Sequence, residues 1–233
     1  MVVECKVMID AGIMINNIEL KNLLPAVFKG MEDTPRIRTS QIWEVPSLVI
    51  EKGCKICIQA ESGCGKSSLL SFIFGNRSDY LGDIFFDGVN IKSFGIEKWC
   101  DIRTRSIALL PQEMRLFPEL TVAQNISLKN DKTKHKSDDE IRGLLSRLGI
   151  EDKKDILIKN LSIGQQQRVA LIRAICQPFD FIFLDEPVSH LDESNNKIVA
   201  AIVEDEAAAQ SAGIVSTSVG NNLLLHNPKY VML

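Results

Sequence analysis

The chain has 233 residues and a mass of 26.0 kDa, 45% hydrophobic and 24% charged, which suits one large α/β domain or two small ones. A net charge of −3 and a pI near 5.7 give no electrostatic reason to expect nucleic-acid binding. No apolar run approaches the roughly 18–20 residues that span a bilayer, and the first residues, with Glu4 and Asp10, lack the basic stretch and apolar core of a signal peptide.

In chain order, residues 1–13 carry no assignable pattern, and Met14 is an equally good start. Residues 14–23 alternate loosely and predict a strand, whereas Pro25 and the polar stretch 29–38 read as a loop. Residues 47–51 and 55–59 predict two strands joined by Lys52-Gly53. Residues 82–91 predict a strand entering a tight Asp87-Gly88 turn, followed by a helix over 96–103 and a buried strand over 107–110. From 113 to 160 the texture changes to helices and polar loops. Ser137 and Glu140 form a capping box there, ahead of Ile141, Leu144, Leu145 and Leu148 on one helical face closed by Gly149. The basic cluster 129–136, broken by Asp131, reads as a solvated loop. A helix over 162–177 ends at Pro178. The fully apolar run 181–184 predicts a parallel strand, followed by a helix over 194–212 and a strand over 214–217. The pattern is one α/β domain with a helical insertion.

The six cysteines are Cys5, Cys54, Cys57, Cys64, Cys100 and Cys176. Cys54 and Cys57 have the spacing of half a zinc site, but no second pair follows, and in a strand they would point to opposite faces. They read as small apolar residues in a reducing cytoplasm.

The stretch Ala60-Glu61-Ser62-Gly63-Cys64-Gly65-Lys66-Ser67-Ser68 lies between a predicted strand and a predicted helix. Its spacing is that of the phosphate-binding P-loop, with Ala60 where glycine is usual. Gly63 and Gly65 permit a tight turn and close approach of the backbone to a phosphate. The N–H groups at the helix start favour an anion, Lys66 adds a charge for the terminal phosphates, and the Ser67 hydroxyl suits Mg²⁺. An ordinary Gly/Ser turn is the bland alternative. After the apolar run 181–184 stand Asp185, fit to hold Mg²⁺, and Glu186, fit to polarise a water.

The segment Leu161-Ser162-Ile163-Gly164-Gln165-Gln166-Gln167-Arg168 resembles the signature of the ATP-binding cassette (ABC) ATPases. Leu109-Leu110-Pro111-Gln112 is similar to their Q-loop and Ser189-His190-Leu191-Asp192 to their D-loop. The resemblance implies a P-loop NTPase α/β fold with an antiparallel β subdomain and a helical insertion. It divides the chain into a core with β subdomain (1–112 and 161–233) and a helical subdomain (113–160). It implies ATP and Mg²⁺ as ligands, the metal held by Ser67, Gln112 and Asp185, with Glu186, Gln112, Lys66 and Ser218 catalytic. It also implies head-to-tail pairing, as a homodimer or with a second ABC subunit. Ser162, Ile163, Gly164, Gln165 and Asp192 would then meet ATP bound by the partner. A membrane permease is the further implied partner, which places the chain on the cytoplasmic face of the membrane. The segment 116–126 resembles the lipoprotein-release and macrolide-export subgroup, and its Leu116, Phe117 and Leu120 form either a permease-facing edge or an ordinary packed connection.

Three positions depart from the family pattern. Ala60 replaces a tolerated glycine, Ile163 replaces the first signature glycine, and Ser218 falls where the switch histidine would stand. Losing one preorganised donor to a transition state typically costs ~2.7–4 kcal/mol. The base-stacking aromatic is Phe28 if 29–38 is an insertion, with Trp43 and a plain core role for Phe28 as alternatives; the family's usual spacing falls on Ile37. The expected function is a transporter's ATPase subunit, the alternative an ATP-gated dimerisation switch with little turnover.

Overall fold

The computed structural model describes residues 12–233; expectations resting on Glu4, Cys5 and Asp10 fall outside them. Its elements in chain order are β1 (Asn17–Pro25), α1 (Pro35–Arg38), β2 (Ser47–Glu51), β3 (Lys55–Gln59), α2 (Lys66–Ile73), β4 (Tyr80–Phe86), β5 (Val89–Asn90), α3 (Ile96–Arg105), β6 (Ile107–Leu110), α4 (Val122–Thr133), α5 (Asp138–Arg147), α6 (Ile163–Ile175), β7 (Phe181–Asp185), α7 (Glu193–Ala209), β8 (Gly213–Ser218) and β9 (Lys229–Met232).

Two sheets form. The strand order is β2-β1-β4-β5 in the first, all antiparallel, and β6-β7-β8-β3-β9 in the second, all parallel. Period-2 alternation in the parallel sheet sends Ala108, Leu110, Ile182, Leu184 and Ile214 into one apolar cluster with α4 to α7. The alternate residues Ile107, Phe181, Phe183 and Val215 join a second cluster with β1, β4 and α2. The strands are apolar because both of their faces are covered.

Register fixes the position of the site. Gln59 pairs with Ser218, Asp185 with Thr217, and Leu184 with Leu110. The C-terminal ends of β3, β7, β8 and β6 therefore lie side by side, where open α/β sheets bind ligands.

Several expectations need correction. The strands at 47–51 and 55–59 form as expected, but they belong to different sheets: β2 pairs with β1 and β3 with β8 and β9, so Lys52-Gly53 carries the chain from one sheet to the other. The stretch 29–38 is not all loop, because Thr34-Pro35 starts the short α1, which buries Ile37. The turn Asp87-Gly88 does join two strands, with φ of 45° and 78°, the left-handed pair a two-residue hairpin demands. β9 escapes the sequence pattern because Val231 is the one buried side chain in it.

In the helical insertion, Asn125 of α4 is fully buried. Its side chain accepts from the N–H of Phe117 at 2.9 Å and donates to the carbonyls of Phe117 and Thr121 at 3.1 and 3.0 Å. These bonds fix the loop that follows Gln112. Leu116 packs on the core, and Phe117 stays 54% exposed. Burial pushes the Cys54 thiol up to about 11 and raises that of Cys57, which opposes the thiolate form a metal needs.

Candidate functional site

The loop after β3 turns at Gly63 (φ 79°) and Gly65 (φ 97°) and delivers Lys66 as the first residue of α2. Gly65 is required twice over. Its backbone is left-handed, and a Cβ there would lie 3.3 Å from the Trp43 ring. Lys66 is 5% exposed, and its ammonium donates to the carbonyls of Ala60 and Glu61, both at 3.0 Å. The same ammonium lies 3.7 Å from a Glu186 carboxylate oxygen. Beside it opens a cavity of about 340 Å³, bordered by Ser62, Gly63, Ser67, Ser68, Gln112, Glu186 and Phe28.

Glu186 follows β7 with φ of 50°, a left-handed conformation that costs an ordinary residue about 1 kcal/mol. Its surroundings hold it there. Its N–H donates to the Thr217 hydroxyl at 3.2 Å, its carbonyl accepts from Gln167 at 3.1 Å, and its carboxylate accepts from Gln112 at 3.3 Å. The Thr217 hydroxyl in turn donates to Asp185 at 2.6 Å. Thr217 and Gln167 carried no sequence signal as site residues. Thr217 is found only through the Asp185–Thr217 register, and Gln167 only because α6 lies against the turn after β7.

The structure separates the candidates for the base-stacking position. Phe28 borders the cavity with Pro25 and Val27. Ile37 is buried at 2%, and Trp43, 6% exposed, lies beneath the loop with its indole N–H on the Cys64 carbonyl.

Ser218 does not join the cavity. It is 1% exposed, and its hydroxyl donates to the Asn222 side chain, which also receives the Cys57 thiol. Strand alternation is the cause: Thr217 faces Asp185, so Ser218 faces away.

The signature residues stand apart from this cavity. Ser162 caps α6 through a box with Gln165, the bonds measuring 2.9 and 3.3 Å, and Ile163 is 53% exposed. Gly164 packs where an added Cβ would lie 3.4 Å from the His190 carbonyl. Asp192 caps α7 by accepting from the N–H of Asn195, a bond that holds its carboxyl below the usual range.

For a divalent cation the available donors are the exposed hydroxyl of Ser67, the amide oxygen of Gln112 and the buried Asp185 carboxylate. An all-oxygen set of this kind fits Mg²⁺, which is held by few protein groups together with phosphate oxygens. Among the described residues no cluster of three or more His, Cys, Asp or Glu competes with it.

A family model described as ABC transporter matches residues 44–189. The Fe(3+) ions import ATP-binding protein FbpC of Fusobacterium nucleatum subsp. nucleatum is 39% identical over 149 residues, which span 63% of this chain but only 38% of that protein. The lipoprotein-releasing system ATP-binding protein LolD of Buchnera aphidicola subsp. Schizaphis graminum is 33% identical over 196 residues, 82% of each chain. Among solved structures, a dimeric post-hydrolysis state of the ATP-binding cassette MJ0796 bound to ADP and Pi matches with a TM-score of 0.69, at 21% identity over 88% of both chains.

Proposed function

This chain belongs to the ABC transporter family, and we propose that it is the ATP-binding and ATP-hydrolysing subunit of a transporter, working as a head-to-tail dimer against a separate membrane permease. The observation that carries this reading is the meeting of Lys66, Gln112 and Glu186 around one cavity at the C-terminal ends of four parallel strands. No described helix is long and apolar enough to cross a membrane; in this reading the chain attaches to the membrane through the permease, on its cytoplasmic face. Residues 113–160 act as the helical subdomain that receives the permease, and the exposed Phe117 belongs to that contact.

The mechanism follows from the side chains. Lys66 leaves its two loop carbonyls and turns onto the terminal phosphates, joined by the N–H groups at the start of α2. Phe28 stacks on the base. Glu186 accepts a proton from the attacking water as its oxygen bonds the terminal phosphorus and ADP departs. Gln112 orients that water from the other side. Ser67, Gln112 and Asp185 would hold Mg²⁺, which would supply positive charge against the phosphate oxygens. The outward N-terminus of α6, with Ser162 and Gly164, covers nucleotide held by the partner subunit.

Glu186→Gln keeps the shape and removes the base. ATPase turnover is expected to fall by about 10²-fold or more, with ATP affinity retained. Equal turnover in the variant would end the assignment.

One observation favours a second reading, an ATP-gated dimerisation switch. The Ser218 hydroxyl is committed to Asn222 and offers the phosphates nothing. ATP-dependent dimerisation with negligible hydrolysis, even with the permease present, would select it.

A further inference from the structure

We infer that Trp43 is a positioning residue for the nucleotide, bracing the phosphate loop from beneath and tying it to the last strand of the parallel sheet. The inference rests on the nucleotide-binding reading above and extends it to a residue outside every motif the chain displays.

Three observations meet at this side chain. Its indole N–H donates to the Cys64 carbonyl at 3.3 Å, the peptide immediately before Gly65 and Lys66. Its ring lies so close under Gly65 that an added Cβ would stand 3.3 Å from it, with Phe28 at 3.7 Å from the same point. The indole therefore backs the turn that presents N–H groups to phosphate, and Phe28 borders the same glycine. Finally, the segment bearing it is anchored at both ends of a short span. Ser40 accepts from the N–H groups of Ile42 and Trp43 at 3.1 and 2.9 Å. Gln41 exchanges two bonds with Met232 of β9, each 2.8 Å.

The chemistry explains why an indole suits this place. A phosphate loop works by fixing the directions of its peptide N–H groups before the anion arrives. Glycines at 63 and 65 supply the shape, yet they also leave the backbone free to rotate. A donor on the Cys64 carbonyl selects one orientation of the Cys64–Gly65 peptide, and a flat ring against Gly65 blocks its collapse. An aliphatic residue fills the space without selecting the peptide's direction.

The test compares wild type with Trp43→Phe, which keeps an aromatic ring and loses the donor. The readouts on the full chain are ATP affinity, steady-state hydrolysis, the nucleotide-free melting temperature and tryptophan emission. The variant is expected to bind ATP about three- to tenfold more weakly, the range of one lost hydrogen bond, with KM raised alike and kcat unchanged. The nucleotide-free melting temperature should fall by no more than a few degrees, the cost of one buried hydrogen bond with an aromatic ring retained. ATP should change tryptophan emission in wild type and not in the variant, since Trp99 on α3 lies away from the cavity. A variant whose ATP affinity equals that of wild type overturns the inference alone. So does a variant that melts far lower while ATP leaves wild-type emission unchanged, because the residue is then core packing only. A wild-type chain that binds no ATP overturns both this inference and the nucleotide reading beneath it.

Discussion

Glu186 occupies a left-handed backbone conformation, and the groups that hold it there also aim its carboxylate. Thr217 is the least replaceable of these, because its one hydroxyl accepts from the Glu186 N–H and donates to Asp185. Thr217→Val preserves the shape and leaves both groups unpaired. It should lower stability by about 1–3 kcal/mol and turnover by about tenfold, read by denaturant melts and steady-state ATPase. Unchanged turnover would show that Glu186 is held by Gln112 and Gln167 alone. Lys66, Asp185 and Glu186 were legible in the sequence, because loop spacing and an apolar strand ending in acids carry their meaning locally. Thr217 and Ser218 were not legible, because which of the two faces the site depends on the pairing of β7 with β8. The family resemblance points to Ser218, whereas the alternation of side chains along β8 turns it to Asn222.

Among the elements, the helices declared themselves through their ends. Ser137 with Glu140 forms the capping box the residues suggest, and Ser162 with Gln165 and Thr121 with Gln124 add two more. The strands were less legible. β9 offers a single inward residue, and the change of sheet between β2 and β3 has no local mark beyond a glycine. α4 carries a pH dependence of its own. Burial, then the charges of Arg173 and Lys132, push the Lys129 ammonium down to about 8, and it donates to Gln177 at 2.7 Å. The unfolded chain keeps this proton up to the ordinary value of 10.5. Between about 8 and 10.5 the unfolded state therefore binds more protons, so stability rises with pH across that window. The cost of burying the charge is fully present below it. Lys129→Met should be more stable than wild type at neutral pH, with the gap closing toward about pH 10. Urea titrations at both ends of the window would show this, and a gap that widens with pH would refute it.

At the scale of the whole molecule, one chain holds a complete loop and an incomplete enclosure. The α6 N-terminus faces outward, away from its own cavity, with Ile163 exposed at its tip. In the head-to-tail pair proposed above, that side chain would meet the nucleotide of the other subunit. Ile163→Gly should therefore speed hydrolysis and strengthen ATP-driven dimerisation while leaving ATP affinity of the single chain unaltered, measured by ATPase assay and sedimentation. A slower variant would show that the isoleucine supports closure. The resting place of Lys66 has a consequence for how such a pair fills. Its ammonium is held by two loop carbonyls and lies 3.7 Å from the Glu186 carboxylate, so in the function proposed above the capture of a nucleotide would exchange acceptors rather than add them. The count of bonds to this lysine need not rise, and the free energy would come from bringing phosphate charge to a cation that one carboxylate at 3.7 Å only partly neutralises. On the proposed reading, the loop therefore responds first to the charge of its ligand, and the base comes second.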